Sequence, residues 1–189
     1  MIVFISTLLA GILTDNIVLS GLFGIDDTIK PEASIKDVVK RCGLLGALLF
    51  LSSAVYYPLV TWVLKPLGLD CLATLLCILV IFGLSFGAFT LFERFLPVVY
   101  KVIAPYRGLM SCSVVILGGC LSLFSSEAVT GYLTALLYSL ALVLGFLLVS
   151  VIFWGIRDLL KGDSVPASVK GLPLSLIVAA LLSMAFECF

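Results

Sequence analysis

Asp15 is the one acidic residue well inside an apolar stretch of this chain, with Thr14 and Asn16 as neighbours. A charge at the middle of a membrane helix costs roughly 2.5–3.5 kcal/mol on insertion scales, so it usually faces the protein interior or an aqueous cavity. Two chemistries fit. Asp15 and Asn16 form an ion or proton site, or a protonated or paired Asp15 locks helix packing. Six cysteines supply soft donors: Cys42, Cys71, Cys77, Cys112, Cys120 and Cys188. None forms a CxxC pair. Cys112 and Cys120 share one segment, eight residues apart, which is about 12 Å along an unbroken helix. They cannot hold one metal together without a break or partners elsewhere. Most of the cysteines sit in apolar stretches, where a free cysteine packs as a small hydrophobe. They lie at different depths, so disulfides are not expected. The absence of histidine excludes bis-histidine haem ligation, a histidine relay and a His/carboxylate metal site. No glycine-rich phosphate loop follows a strand and no nucleophile–base pair occurs. No catalytic residue is assigned, and a self-contained enzyme is not expected.

The elements that must position these groups are membrane helices. The chain is 62% hydrophobic and 12% charged, with a mean hydropathy of +1.31. A soluble domain needs a more charged surface. Six apolar segments read roughly 1–25, 43–64, 70–92, 108–126, 129–155 and 171–188. Each is near the ~20 residues that cross a bilayer, and together they leave no room for a soluble domain. A single membrane domain over 1–189 is expected. The first segment lacks a basic leader and is too long for a signal h-region, so it is expected to be a retained helix.

The basic residues set an orientation. Lys30, Lys36, Lys40 and Arg41 follow the first segment, Arg94, Lys101 and Arg107 the third, and Arg157, Lys161 and Lys170 the fifth. Lys65 alone falls on the other side. Basic loops stay cytoplasmic, so both termini are expected outside the cytoplasm. Topology is a sufficient explanation for these charges, and the net charge is zero, so no nucleic-acid surface is indicated. The mixed-charge stretch 26–41 reads as a solvated cytoplasmic loop with a short amphipathic helix. Glu187, at the end of the last segment, reads as interfacial.

Six segments divide into two sets of three, and three-helix halves run in opposite senses, as in inverted-repeat transport folds. Polar residue, branched apolar run and glycine occur at Asn16–Gly24 and again at Ser113–Gly119. Asp15, Asn16, Gly21 and Gly24 interrupt the first segment, and Pro97, Pro105 and Gly108 surround entry to the fourth. Helices broken within the membrane free backbone groups that protein, ligand or water must satisfy. The expected fold is therefore all-α and polytopic: six transmembrane helices in two inverted three-helix repeats, with helices one and four broken.

Four stretches carry a family resemblance: TDNIVLSGLFG at 14–24, TWVLKPLGLDCLATLLCILVI at 61–81, ERFLPVVYK at 93–101 and IRDLLKGDSVPASVKGLPLSLIVAALLSMAF at 156–186. In these the chain resembles the six-helix membrane subunit shared by Rnf (also called Rsx) and Na⁺-translocating Nqr complexes, of the RnfA/NqrE type. The resemblance covers nearly the whole chain. It implies electron transfer across a bacterial cytoplasmic (inner) membrane, coupled to Na⁺ or H⁺ movement by a multi-subunit translocase. It implies a paralogous RnfE/NqrD-like partner of opposite orientation, and an iron–sulfur cluster to which each paralogue gives two cysteines, from broken helices one and four. The RnfA/NqrE type has both termini outside the cytoplasm, in agreement with the charge bias.

This chain departs from that ligand pattern. Asp26 stands where the first cysteine is expected, and Val114 where the second falls, with Cys112 two positions away. Aspartate is a harder donor and a poor replacement for thiolate. Iron held by Asp26 and Cys112 is one reading. The favoured one is a paralogue that kept the scaffold and lost the centre. From another class comes a small transporter, or transport-complex component, with its site near Asp15 and Asn16.

Overall fold

A computed structural model of the protein describes residues 34–95, 100, 104–106, 108, 113–126, 129, 131–160 and 171–187, and within these it is helical. Five helices of twelve or more residues are present: α1 (Ile35–Leu59), α2 (Ala73–Phe95), α3 (Val114–Ser125), α4 (Tyr132–Leu159) and α5 (Leu172–Glu187). α1 runs on through a π-helical turn, Val60–Leu64, and a last α-turn, Lys65–Leu67. Short 3-10 turns occur at Asp70–Leu72 and Ala104–Tyr106. Among the described residues, three helices are long and apolar enough to cross a membrane: Ile35–Leu67, Ala73–Phe95 and Tyr132–Leu159. The expected first segment lies outside the described residues.

α1 begins eight residues before the expected boundary at 43, inside the stretch read as a loop. Ser34 caps it in an extended conformation and accepts the Lys36 N–H at 3.4 Å. Asp37 in the first turn suits the positive end of the helix dipole. Val38, Cys42 and Leu45 recur at helical spacing on the buried face, while Lys36 and Lys40 stay in solvent. The polar stretch therefore supplies amphipathic turns continuous with the span. Arg41, assigned to the loop from sequence, is buried at 2% exposure.

α1 and α4 form the centre. Half of the most apolar window of α4 is buried (50%), against 28% for α2, which is thus peripheral. At Gly46 a Cβ would come 2.5 Å from Val143 Cγ1, so glycine is what lets α1 and α4 approach here. Small residues serve the same end elsewhere, because in lipid helices associate through close packing. Ser52, Ser85, Ser139 and Ser175 are buried, and each hydroxyl donates to a carbonyl of its own helix or helix cap: Leu48, Phe82, Leu136 and Gly171 respectively. Their polarity is satisfied locally, and they pack as small side chains.

The far end of α1 is shaped by Pro58. Proline has no N–H to give the carbonyl four residues back, which here is that of Ala54. The Tyr132 hydroxyl of α4 donates to that carbonyl at 3.4 Å, and its ring lies 6.2 Å from that of Tyr57. The ladder widens into the π turn just after the proline. It ends at Gly68, whose φ of 65° permits a left-handed cap. Leu69 N–H bonds to Leu64 O and Gly68 N–H to Lys65 O, both at 3.2 Å, the paired bonds of a Schellman motif.

α4 starts at Tyr132, where the Thr134 hydroxyl accepts the Gly131 N–H at 2.8 Å. It continues to Leu159, past the expected end at 155, with Arg157 in its last turn. A cation there complements the negative end of the dipole.

Candidate functional site

Asp15, Asn16, Asp26 and Cys112 lie outside the described residues. Val114 opens α3 directly after the extended residue Ser113. Its side chain is 40% exposed, whereas Val115, Ile116, Cys120 and Leu123 on the same helix are buried. Twelve residues of α3 reach only about 18 Å at 1.5 Å per residue, short of the ~30 Å hydrocarbon core. α3 alone does not complete a crossing.

Cys77 of α2 and Cys120 of α3 are free thiols within one apolar core cluster. Both are fully buried, at 0% exposure. Tyr56 of α1 is buried in the same cluster, and its hydroxyl donates to the Ala73 carbonyl at 3.4 Å. These side chains help fill the core where α1, α2 and α3 meet. Among the described residues no group of three or more His, Cys, Asp or Glu side chains is placed to hold a metal.

On the side that carries Lys65, a small cavity of about 40 Å³ is lined by Tyr56, Tyr57, Val60, Thr61, Lys65, Leu123, Phe124 and Val129. Lys65 Nζ stands 5.5 Å from the centre of the Phe124 ring, and the Thr61 hydroxyl donates to the Tyr57 carbonyl at 2.8 Å. At the opposite end, Ser150 Oγ and Trp154 Nε1 are buried one turn apart on α4 without a hydrogen-bond partner among the described residues. Asp37 and Lys40 are 3.9 Å apart at the surface, where such a pair contributes little.

Long apolar helices, seams made by glycine and serine, and polar groups satisfied within helices define an integral membrane protein. Its relatives make this specific. The family described as "Rnf-Nqr subunit, membrane protein" matches residues 4–189, and the chain belongs to that family. It is 28% identical over 182 residues to the A subunit of the Na(+)-translocating ferredoxin:NAD(+) oxidoreductase complex of Acetobacterium woodii, covering 96% of this chain and 94% of that one. It is 30% identical over 182 residues to the A subunit of the ion-translocating oxidoreductase complex of Azoarcus sp. strain BH72, covering 96% and 93%. The corresponding protein of Tolumonas auensis is 27% identical over 189 residues, covering 100% and 97%.

Proposed function

We propose that this chain is the RnfA-type membrane subunit of an ion-translocating electron-transport complex. The observation that carries this is the end-to-end match to proteins named as the A subunit of such complexes, over 96% or more of the chain. The complex supplies the chemistry, and this chain is not catalytic alone. The other subunits are its partners, among them a paralogue of RnfE/NqrD type and opposite orientation. The full fold is six spans in two inverted repeats, in a bacterial cytoplasmic membrane, with both termini non-cytoplasmic. The charge bias of the loops supports the orientation, and the three long apolar helices support the spans.

The iron–sulfur centre expected from the family does not fit the residues present. Val114 has no donor atom, and Asp26 offers a hard oxygen where a soft thiolate is wanted. The chain is read as a scaffold that contributes no normal cluster ligation. Asp15 and Asn16 remain its candidate ion or proton site, since an intramembrane acid is functional by default.

The test is anaerobic purification with native partners, then iron analysis and EPR on wild type, Asp26→Ala and Cys112→Ser. The expected result is no iron that depends on either residue. Stoichiometric iron lost in both variants would refute the lost-centre reading. Substrate uptake by the isolated chain, with no partner retained, would favour a transporter built around Asp15.

A further inference from the structure

We propose that the end of α1 around Trp62 and Lys65 binds one anionic phospholipid, with its phosphodiester on the Lys65 ammonium and its glycerol region beside Trp62. The site rests on the chain being a membrane protein and not on the reading of its redox role. Lys65 is the one basic residue of eleven that the loop pattern places on its side of the membrane. Basic residues are depleted on that side, so topology accounts for the other ten and not for this one. Lys65 lies in the last turn of the long helix Ile35–Leu67 and is exposed. Its ammonium stands 5.5 Å from the centre of the Phe124 ring, near the end of α3. Such a contact orients the ammonium and leaves its charge in place. Among the described residues Lys65 makes no ion pair. An oriented cation at the bilayer surface that no described carboxylate neutralises is complementary to an anionic headgroup.

The residues leading up to Lys65 match the layering of a lipid. Leu51, Val55, Pro58 and Trp62 follow one another at intervals of four, three and four residues, the spacing of one helix face. Leu51 is 47% exposed and Trp62 79%, with the smaller Val55 and Pro58 half-buried between them. This edge of α1 is apolar and open, with a shallow section between two projecting side chains, and an acyl chain fits along it. Trp62 stands where the apolar edge gives way to charge, the level that indole rings favour. Tyr132, 48% exposed at the start of α4, marks the same end of the bundle. Lys65 lies three residues beyond Trp62, about 4.5 Å at 1.5 Å per residue. Apolar edge, indole and ammonium thus follow the order of acyl chain, glycerol ester and phosphate. A headgroup with one net negative charge is neutralised by Lys65. A zwitterionic headgroup brings its own ammonium, which Lys65 repels, so the site selects anionic lipids.

The experiment reconstitutes the full-length chain in vesicles of zwitterionic phosphatidylcholine with a minor fraction of phosphatidylglycerol. Bromine on the acyl chains of one lipid at a time quenches a neighbouring indole. Subtracting the signal of Trp62→Phe isolates Trp62 from Trp154, the other tryptophan. The two labelled mixtures together give the relative affinity of phosphatidylglycerol at Trp62. A preference of about fivefold is expected, the equivalent of the ~1 kcal/mol that one basic side chain contributes at an anionic surface. Lys65→Gln should abolish the preference and Lys65→Arg should keep it. Lys40→Gln, at the other end of α1, should leave it unchanged. Equal affinity for both lipids in the wild-type protein would overturn the proposal, and that measurement does not depend on a variant folding. So would a preference that survives Lys65→Gln. Trp62 fluorescence untouched by either brominated lipid would also overturn it, because a protein partner and not lipid would then cover this edge.

Discussion

Replacing Gly46 by alanine tests the α1–α4 seam directly. The new Cβ would stand 2.5 Å from Val143 Cγ1, and 3.5 Å from both Val143 Cβ and Cγ2. Carbon pairs are best separated by about 3.5–4.0 Å, so one contact is short by about 1.0–1.5 Å. Valine in a helix holds essentially one rotamer, so Val143 cannot swing aside and the helices must part. Overpacking of this kind costs typically ~1–3 kcal/mol. Alanine returns about 0.8–1.0 kcal/mol of helix propensity over glycine. The net expectation is a loss of about 0–2 kcal/mol. That net is ambiguous alone, so the decisive quantity is the coupling with Val143→Ala, which removes the obstructing methyl. Alone, Val143→Ala loses packing on the order of 1 kcal/mol. With both changes the clash is gone and the propensity gain remains. The coupling should therefore recover the overpacking cost, about 1–3 kcal/mol. Unfolding of all four proteins in mixed micelles with increasing denaturing detergent measures it. Additivity within about 0.5 kcal/mol, the behaviour of independent sites, would refute the reasoning.

Three further outcomes are expected. Tyr132→Phe should cost about 0.5–1 kcal/mol, the lower part of the usual range for a hydrogen bond because the ring is half exposed. In a Pro58→Ala background that cost should vanish, since alanine restores an N–H for the Ala54 carbonyl, and unfolding of the four variants reads both. A reporter active only in the cytoplasm, fused after Phe189, should stay silent while one active only outside gives signal; the reverse would overturn the orientation. Mild detergent extraction should co-purify a paralogous membrane protein of opposite orientation, and a stable, functional monomer would count against that pairing.

Helix content was legible because apolar runs of membrane length have few other solutions. Boundaries were less so. α1 starts early because Ser34 caps it and Val38 and Cys42 give its first turns a buried face, a pattern hidden within a stretch rich in charge. Arg41 belongs to that helix and not to a loop, yet the bias of basic residues survives its removal, as nine of the remaining ten still fall on one side. The Pro58 break was visible as a residue. Its repair by Tyr132 was not, because the donor sits on a different helix. The residues singled out for ion and iron chemistry, Asp15, Asn16, Asp26 and Cys112, lie outside the described residues.

Scaffold and ligand set are physically separable in this chain. The core uses α3 through Val115, Ile116, Cys120 and Leu123, each at most 2% exposed, while Val114 is 40% exposed and outside that core. A side chain at 114 therefore has little hold on how α1, α3 and α4 pack. On the proposed reading, exchanging a thiol for isopropyl there would remove a donor without opening a cavity, so the large destabilisation that follows core truncation would not arise. A group shared with a partner must sit at such an outward position, where the partner can reach it. The same exposure that would make 114 suitable for shared ligation also lets it change at little cost to folding. Val115→Ala should accordingly destabilise the chain by more than Val114→Ala. If the two variants unfold at the same detergent concentration, position 114 is part of the core after all, and the separation of fold from ligation fails.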